Sequence, residues 1–255
     1  MKGKTLIIPL PAVMLMMVLP FLGCLSEANH STASIRKLAP LPSPVVYDLR
    51  GTSSIVFPLT GKIYPTWAYF ATINIGEPAK LFSLVVDTAS YVTWVKCVGS
   101  CKNCSRGPRP LYRPPNGSIV SCEDPLCAAV QGEERNCSNP NDRCEYVLNY
   151  ADGSSTHGYL VKDNFHLPLI NGSVIVSPLI FGCGYKQIGH FPRDGIIGLS
   201  MNPASLLSQI HGKSRIKRLI GHCFSRKGGG ILFFGDDLVP VSGISWTPII
   251  DNYKM

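Results

Sequence analysis

The stretch LFSLVVDTASYVTWVKC, residues 81–97, constrains what this chain can fold into more than any other part of it. A mostly apolar run from Leu81 to Val86 leads directly into a carboxylate, Asp87, after which apolar residues resume. The run lacks polar alternation, so it predicts a strand that is buried on both faces. An aspartate at the end of such a strand must be desolvated, paired or exposed at a cleft. Each of these options has a different functional meaning.

The residues that follow the strand form the pattern D-T-[small]-S, which places a carboxylate on a tight turn between hydroxyl groups. Ser90 can hydrogen-bond to the carboxylate, and Thr88 can brace the loop. A four-residue pattern is weak by itself, because a hairpin aspartate that only caps its turn has the same pattern. The rest of the chain therefore has to decide between a reactive and a structural carboxylate.

Composition favours a turn-rich, β-dominated globular protein. Hydrophobic residues make up 45% of the 255, charged residues make up 16%, and there are 24 Gly and 21 Pro. This profile argues against a disordered chain and against a coiled coil. At this length the chain can form one or two domains and bury a sizeable core.

The first 28 residues predict a secretory signal peptide. Two lysines precede an apolar run from Leu6 to Leu25, and small residues follow at cleavage-like spacing. A membrane anchor is the alternative, since the run is long enough to span a bilayer, but three prolines interrupt it. No later segment is long and apolar enough to cross one. We expect a secreted, extracellular or vacuolar protein whose residues 29–60 form a Ser- and Pro-rich pro-segment or linker.

Secretion decides how the cysteines are interpreted, because disulfides form in oxidising compartments. Cys24 lies in the predicted signal, and the remaining disulfide candidates are Cys97, Cys101, Cys104, Cys122, Cys127, Cys137, Cys144, Cys183 and Cys223. The cluster CVGSCKNC could also suggest zinc, but no histidine or second close cysteine pair completes such a site. Nine is odd, so we expect one free thiol or a partner outside this chain. Most cysteines from residue 97 to 144 are expected to pair locally and staple an insertion, residues 98–144.

Five N-x-[ST] sequons support the same compartment and are glycosylation candidates: Asn29, Asn103, Asn116, Asn136 and Asn171. The formal net charge is +8, and a basic surface can bind nucleic acid. The basic residues are scattered, however, apart from KSRIKR at residues 213–218, which is more typical of a solvated helix face. We therefore expect no nucleic-acid partner and no membrane contact once the signal is removed.

Hairpins dominate the rest of the chain. WAYFATINIGEPAKLFSLVVD joins two β-rich runs through a turn at residues 76–78, and CEYVLNYADGSSTHGYLVKDNFHL contains a hairpin tip at residues 152–155. VIVSPLIFGCGY and DGIIGLS predict short strands, and GGGILFFGD predicts a last hairpin. Asn202 followed by Pro203 is the only convincing helix start, and it predicts a helix over ASLLSQI that ends near Gly212. The predicted fold class is mainly β.

Five of these stretches together resemble the pepsin-like aspartic peptidases, most closely the plant branch with cysteine-rich insertions that includes the nepenthesin-like enzymes. They are IGEPAKLFSLVVDTASYVTWVKC, YADGSSTHGYL, FGCGY, DGIIGLS and GGGILFFGD, and they follow the family's order over roughly residues 64–247. The resemblance implies the N-terminal lobe of a bilobal acid-protease fold over residues 61–247. This lobe is expected to contain closed or orthogonally packed β-sheets and one or two short helices.

The resemblance also implies a mechanism. In this family each lobe contributes one aspartate, and the pair holds a water that attacks the peptide carbonyl. Two carboxylates at close range cannot both ionise, so one takes a proton from water while the other, protonated, polarises the carbonyl oxygen. Carried over by position, Asp87 is the first-lobe catalytic aspartate, and its active-site loop comprises Thr88, Ala89 and Ser90.

A flap is implied as well. Tyr150 falls where the family has its flap tyrosine, at the start of a hairpin that closes over the substrate. The tip, where backbone groups can meet an extended peptide, comprises Asp152, Gly153 and Ser154, and an ordinary hairpin turn would also explain these residues. Trp94 lies where the family has an aromatic residue behind that tyrosine, although core packing explains it about as well.

Further residues are assigned a structural place by the same resemblance. Gly195 and Gly198 belong to the element that passes beneath the catalytic loop, where they fit the backbone and have no chemistry of their own. His157, His190 and His222 have no catalytic role in this family, so we expect surface or core positions for them. The resemblance implies no metal and no cofactor.

Two features depart from the family pattern. The family has glycine between Thr and Ser, whereas Ala89 brings a Cβ into a loop that approaches the aspartates and the substrate. No second D-[TS]-G follows, and the sequence ends just after ISWTPII, where the family begins its second lobe. We therefore expect residues 248–255 to be the truncated start of that lobe, and the missing C-terminal lobe to be a partner.

Two functions from different classes follow. The first is an aspartic endopeptidase that acts on peptides or proteins, here as an N-terminal lobe that is inactive alone. The second is a non-catalytic protein on the same scaffold, similar to plant inhibitors of microbial xylanases. Ala89 keeps the second possibility open.

Overall fold

The predicted hairpins assemble into one ten-stranded mixed β-sheet in the computed structural model. The structure describes residues 54–65, 67–98, 110–132, 137–214, 216–225, 227–240 and 245. The strands are β1 Ile55–Lys62, β2 Ala68–Ile75, β3 Lys80–Asp87, β4 Trp94–Lys96, β5 Glu145–Asn149, β6 Ser155–Pro168, β7 Val174–Ile188, β8 Gly195–Gly198, β9 Ile220–Phe224 and β10 Gly230–Phe234. Two short helices accompany them among these residues, α1 Pro125–Gln131 and α2 Leu206–Lys213. The mainly β class is confirmed.

The sheet closes on itself through part of its length. Its strand order is β5-β6-β7-β4-β8-β3-β2-β1-β10-β9, and β2 also pairs with β6. The closing contact places Asn74 opposite His166 and Ile75 opposite Phe165. Strands β2, β3, β8, β4, β7 and β6 therefore form a ring. Strand β3 pairs in parallel with β8, and β4 pairs in parallel with β7. The C-terminal ends of the two strands in each pair therefore lie at the same edge of the sheet.

Two apolar clusters stabilise this arrangement. The larger one is rich in phenylalanine, and its fully buried aromatic side chains include Phe57, Phe82, Phe165, Phe181 and Phe234. The smaller one contains Trp94, Tyr146, Leu160 and Phe191, with partly buried Tyr150 packed against it. Burial of a large apolar side chain stabilises a fold by roughly 1.5–3 kcal/mol. The smaller cluster therefore provides firm support for the β5–β6 hairpin, which is the predicted flap.

The strand that leads to Asp87 is buried at its centre and open at its ends. Phe82, Ser83 and Leu84 are buried, as expected for a strand with neighbours on both sides. Leu81, however, is 53% exposed, so the expectation of burial along the whole run is wrong at its first residue. Leu81 lies next to the β2–β3 turn, where the sheet ends and packing on both faces is lost.

The pro-segment or linker predicted for residues 29–60 overlaps a strand. Ile55 to Lys62 form β1, which pairs with β2 on one side and with β10 on the other. The sequence showed only weak patterning there, and Pro58 argues against an inner strand. The distant partner β10, about 170 residues further along the chain, is what places this segment in the sheet.

Helix α1 lies in the predicted irregular insertion and was not expected. The Asp124 carboxylate caps its start by accepting a hydrogen bond from Leu126 N at 2.8 Å, and Pro125 occupies the first turn. Helix α2 begins later than predicted. The Asn202 side chain accepts from Ala204 N in a preceding turn, and Ser205 is the actual capping residue of Leu206–Lys213.

The described cysteines are all in disulfides. Cys122–Cys137 and Cys127–Cys144 are local, as expected for a stapled insertion. Cys97 instead pairs with Cys183, 86 residues away, so it is not among the locally paired cysteines and is not a zinc ligand. Cys223 is also disulfide-bonded, so no free thiol remains among the residues that the structure covers.

Several predicted features lie outside the described residues: the signal (1–28), most of the predicted linker (29–53), Cys101, Cys104, Asn29, Asn103, Asn136 and the start of a second lobe (248–255). Of the described sequons, Asn116 and Asn171 both lie in exposed turns. His190 is exposed, and His157 and His222 are half-buried. Across the described ranges there is no helix of the length and apolarity needed to span a membrane.

Candidate active site

Asp87 ends β3 as a half-exposed, hydrogen-bonded carboxylate. One carboxylate oxygen accepts a hydrogen bond from the Ser90 hydroxyl at 2.5 Å, and the other accepts from the Ala89 backbone N–H at 2.9 Å. The Asp87 carbonyl accepts from Leu199 N at 3.0 Å. The expected contact between Ser90 and the carboxylate is therefore present. These two hydrogen bonds, one to each oxygen, hold the carboxylate in one orientation.

Ala89 fits its loop without backbone strain. Trp67 is the only non-glycine residue with a positive φ among those described, so Ala89 does not occupy the left-handed conformation that favours glycine. The Ala89 side chain is exposed. The departure from the family's glycine therefore leaves the turn around Asp87 intact and adds one methyl group to its surface.

A second threonine, Thr93, connects the chain after the Asp87 loop to β8, and the bracing role of Thr88 stays a prediction. Thr88 is exposed, whereas Thr93 is buried and its hydroxyl accepts a hydrogen bond from Gly198 N at 3.0 Å. Strand β8 packs so closely there that a Cβ added at Gly195 would lie 1.9 Å from the Trp94 carbonyl oxygen. The two glycines of β8 are backbone-fitting residues in this structure, as the resemblance implied.

Tyr150 connects the flap to the loop of Asp87. Trp94 Nε1–H donates to the Tyr150 hydroxyl at 2.7 Å, and this hydroxyl also lies beside Ser90. Since Ser90 donates to Asp87, these contacts bring Trp94, Tyr150, Ser90 and the carboxylate into one cluster. Burial raises the pKa of Tyr150 to about 12, and the nearby Asp87 carboxylate contributes to this, so the phenol is neutral at any physiological pH.

The flap tip is a tight turn built around Asp152. Its carboxylate accepts from Ser154 N at 2.9 Å and from the Ser154 hydroxyl at 2.6 Å. These two hydrogen bonds lower the pKa of Asp152. Gly153 has a φ of +80°, which the turn requires. Asp152 and Ser154 thus stabilise the turn, which leaves the exposed backbone of Asp152 and Gly153 as the part of the tip that a ligand could meet.

Sequence reasoning missed two residues that complete this site. Phe191 packs edge-on against both Tyr150 and Trp94, with ring centroids 5.6 Å and 5.0 Å apart. Lys96 is 6% exposed, and its Nζ donates to the Phe191 carbonyl at 3.0 Å. The motif around Trp94 contains Lys96, but nothing local indicates its burial. A lysine in a short apolar strand, WVK, is the only signal that could have been noticed.

Comparison with known proteins agrees with this geometry. A family model described as xylanase inhibitor N-terminal matches residues 69–236. An aspartic proteinase of Oryza sativa subsp. japonica is 42% identical over 212 residues, which cover 80% of this chain and 51% of the relative. Aspartic proteinase 36 of Arabidopsis thaliana is 34% identical over 203 residues, which cover 72% of this chain and 41% of the relative. The solved structure of basic 7S globulin from soybean has a TM-score of 0.55 at 20% identity, with 73% of this chain and 51% of that one covered.

The closed β ring with an aspartate loop beneath a hairpin is the N-terminal lobe of the pepsin-like fold. The chain belongs to the xylanase inhibitor N-terminal family, within the plant branch of the pepsin-like aspartic proteinases. It spans about half the length of the curated relatives that it matches, 51% in the case of the rice proteinase.

Proposed function

We propose that this chain is the first lobe of an aspartic endopeptidase and that Asp87 is its catalytic aspartate. The observation that carries the proposal is the carboxylate itself, which is oriented by Ser90 and Ala89 yet remains half-exposed at the end of a buried strand. Water can reach such a group, and a fixed orientation is what a general base requires. The flap tyrosine above the same loop supplies a cover for a bound peptide.

The proposed reaction needs a second carboxylate. One aspartate must be ionised to take the proton of the attacking water, and the other must be protonated to polarise the peptide carbonyl. Three other aspartates among the described residues have structural contacts, since Asp124 caps α1, Asp152 holds the flap turn and Asp194 accepts from Ser83 N at 2.8 Å. The second carboxylate would therefore come from a C-terminal lobe, and we expect negligible peptide cleavage by this chain alone.

Acid cleavage of an unfolded protein tests this proposal. The purified secreted chain is compared with its Asp87→Asn variant, and each is also assayed when joined to the C-terminal half of the rice proteinase. We expect cleavage only from the joined protein and its loss with Asp87→Asn, because the amide cannot act as a base. Ala89→Gly should raise the rate if the extra methyl group hinders the substrate. Robust, Asp87-dependent cleavage by the chain alone would show that one lobe suffices and would contradict the requirement for a second lobe.

A non-catalytic role on the same scaffold is the second candidate. The family model is described as that of a xylanase inhibitor, and Ala89 replaces the glycine of the catalytic pattern without disturbing the turn. If the chain acts in this way, the joined protein will not cleave peptides but will lower the activity of a microbial xylanase in a titration. Cleavage that depends on Asp87, with no effect on xylanase, would exclude this candidate.

We further propose secretion and N-glycosylation at the exposed turns. The Asn171 side chain accepts from Ser173 N at 3.0 Å and from the Ser173 hydroxyl at 2.7 Å, so the sequon hydroxyl already contacts the amide to be modified. Glycosidase treatment of secreted protein should lower its apparent mass, and Asn171→Gln and Asn116→Gln should each remove part of that shift. An unprocessed cytosolic product with reduced thiols would contradict secretion.

A further inference from the structure

A buried lysine lies behind the flap. Lys96 is the last residue of β4, is 6% exposed, and donates from Nζ to the Phe191 carbonyl at 3.0 Å. Lysine is almost never buried without a partner, because desolvation of an ammonium group is costly. Burial accordingly lowers the pKa of Lys96, and the charge of Asp194 acts in the opposite direction. Because burial of this amine is unfavourable, we look for a role that depends on its hydrogen bond, which an apolar side chain could not form.

The carbonyl that Lys96 holds belongs to the loop between β7 and β8. The end of this loop is secured by backbone hydrogen bonds, from Asp194 N to the Ser83 carbonyl at 3.0 Å and from Lys96 N to the Asp194 carbonyl at 2.7 Å. Phe191 lies three residues earlier, where the Lys96 side chain provides the contact. The Lys96 side chain therefore contacts the loop three residues before Asp194, where the backbone hydrogen bonds secure its end.

Gly189 of this loop lies against Ser154 at the flap tip, and Phe191 is the loop residue whose ring packs against the flap tyrosine. Its ring packs edge-on against Tyr150, with an interplanar angle of 71°, and against Trp94, with an angle of 87°. Such aromatic pairs contribute roughly 0.5–1.5 kcal/mol beyond their buried area. Trp94 and Tyr150 are in turn joined by their own hydrogen bond. The three rings form one unit, and Phe191 is the member carried by the loop.

We propose that Lys96 is a positioning residue of the flap: its hydrogen bond to the Phe191 carbonyl fixes the loop whose aromatic ring holds Tyr150 above the loop of Asp87. Lys96 would fix the position of the flap whether or not the chain is catalytic. This role therefore does not depend on the proposed function, and its test requires no activity.

The test uses Trp94 as a reporter in a Trp67→Phe, Trp246→Phe background, where it is the only remaining tryptophan. Lys96→Met keeps the length of the side chain and removes the donor. We expect Trp94 quenching by acrylamide to rise about two-fold or more, and hydrogen exchange of the flap amides at residues 153–154 to accelerate about ten-fold, because local opening becomes easier. Lys96→Arg keeps a donor and should restore most of both signals.

The chain offers a control in Lys213, a more exposed lysine whose Nζ also donates to a backbone carbonyl, that of Pro178. Lys213→Met removes the same kind of hydrogen bond at a position in α2, outside the three-ring unit. It should therefore leave both Trp94 quenching and flap exchange unchanged. Equal changes in the Lys96→Met and Lys213→Met proteins would show a general loss of stability and would overturn the proposal.

If the Lys96→Met protein does not fold, the Phe191→Leu variant tests the same contact between the loop and the flap. This variant keeps the lysine and removes only the ring, so it should reproduce the increase in quenching and exchange. Unchanged flap signals in Phe191→Leu would show that the loop does not position Tyr150, and the inference would then be wrong.

Discussion

At the scale of single residues, Tyr150 shows how burial changes the pKa of a side chain at this site. Burial is the largest cause that raises its pKa to about 12, while the hydrogen bond from Trp94 and the contact with Ser90 act to lower it. Folding therefore favours the neutral phenol. Its contribution to stability is fully present below about pH 10, where free tyrosine titrates, and is lost as the pH rises from about 10 to about 12.

A spectroscopic titration checks this prediction. The absorbance change at alkaline pH for the Tyr150→Phe variant is subtracted from that of the unmodified chain, and the difference should be centred near pH 12. Tyr64→Phe, which removes a phenol that is 73% exposed, serves as the control for the subtraction. A difference curve centred at about pH 10, the value of a free tyrosine, would show that Tyr150 is not packed against Trp94 and Phe191 in solution.

At the scale of elements, β8 is the strand that tolerates least change. It is four residues long, entirely buried, and pairs with β3 on one side and with β4 on the other. A Cβ added at Gly198 would lie 2.7–2.8 Å from backbone atoms of Val92. Since backbone cannot swing away as a side chain can, we expect Gly198→Ala to destabilise the protein by roughly 1–3 kcal/mol or more, or to prevent its secretion.

Gly212 provides the comparison for this prediction. It lies in α2, and nothing approaches within 4 Å of the position that a Cβ would take. Gly212→Ala should therefore stabilise the protein by about 0.5–1 kcal/mol, since alanine loses less backbone entropy in a helix. Denaturant unfolding of both variants measures the two effects, and a Gly198→Ala protein as stable as the Gly212→Ala protein would contradict the close packing of β8.

At the scale of the whole molecule, the disulfides divide into local and long-range connections. Cys97–Cys183 joins the residue after β4 to β7 at a sequence separation of 86, whereas Cys122–Cys137 closes a segment with a separation of 15. The chain-entropy argument assigns roughly 4.5 kcal/mol to a loop of the first length and roughly 3 kcal/mol to one of the second. Replacing both Cys97 and Cys183 with alanine should therefore lower the melting temperature more than replacing Cys122 and Cys137.

Thermal unfolding of the two double variants measures this difference, and non-reducing peptide mapping of the unmodified chain checks the pairing. Recovery of Cys97 joined to Cys101 or Cys104 would contradict the long-range pairing.

Features whose determinants lie close together in the chain could be predicted from the sequence. The β2–β3 hairpin needs only two apolar runs and a turn at residues 76–78, and the β5–β6 hairpin needs only the tip at residues 152–155. The contact between Ser90 and Asp87 spans three residues and follows from the reach of a hydroxyl. Turn chemistry and side-chain length act locally, so these interactions are encoded where they form.

The sequence by itself thus determined the class of fold, the hairpins and the loop of Asp87. Only the tertiary structure decided that β1 lies beside β10, that Cys97 pairs with Cys183, and that Lys96 is buried against Phe191. Each of these contacts joins residues that are 86 or more positions apart. A local pattern shows that a residue can pair or be buried, but the partner is selected by how the ring of strands closes, and that selection depends on the packing of the whole lobe.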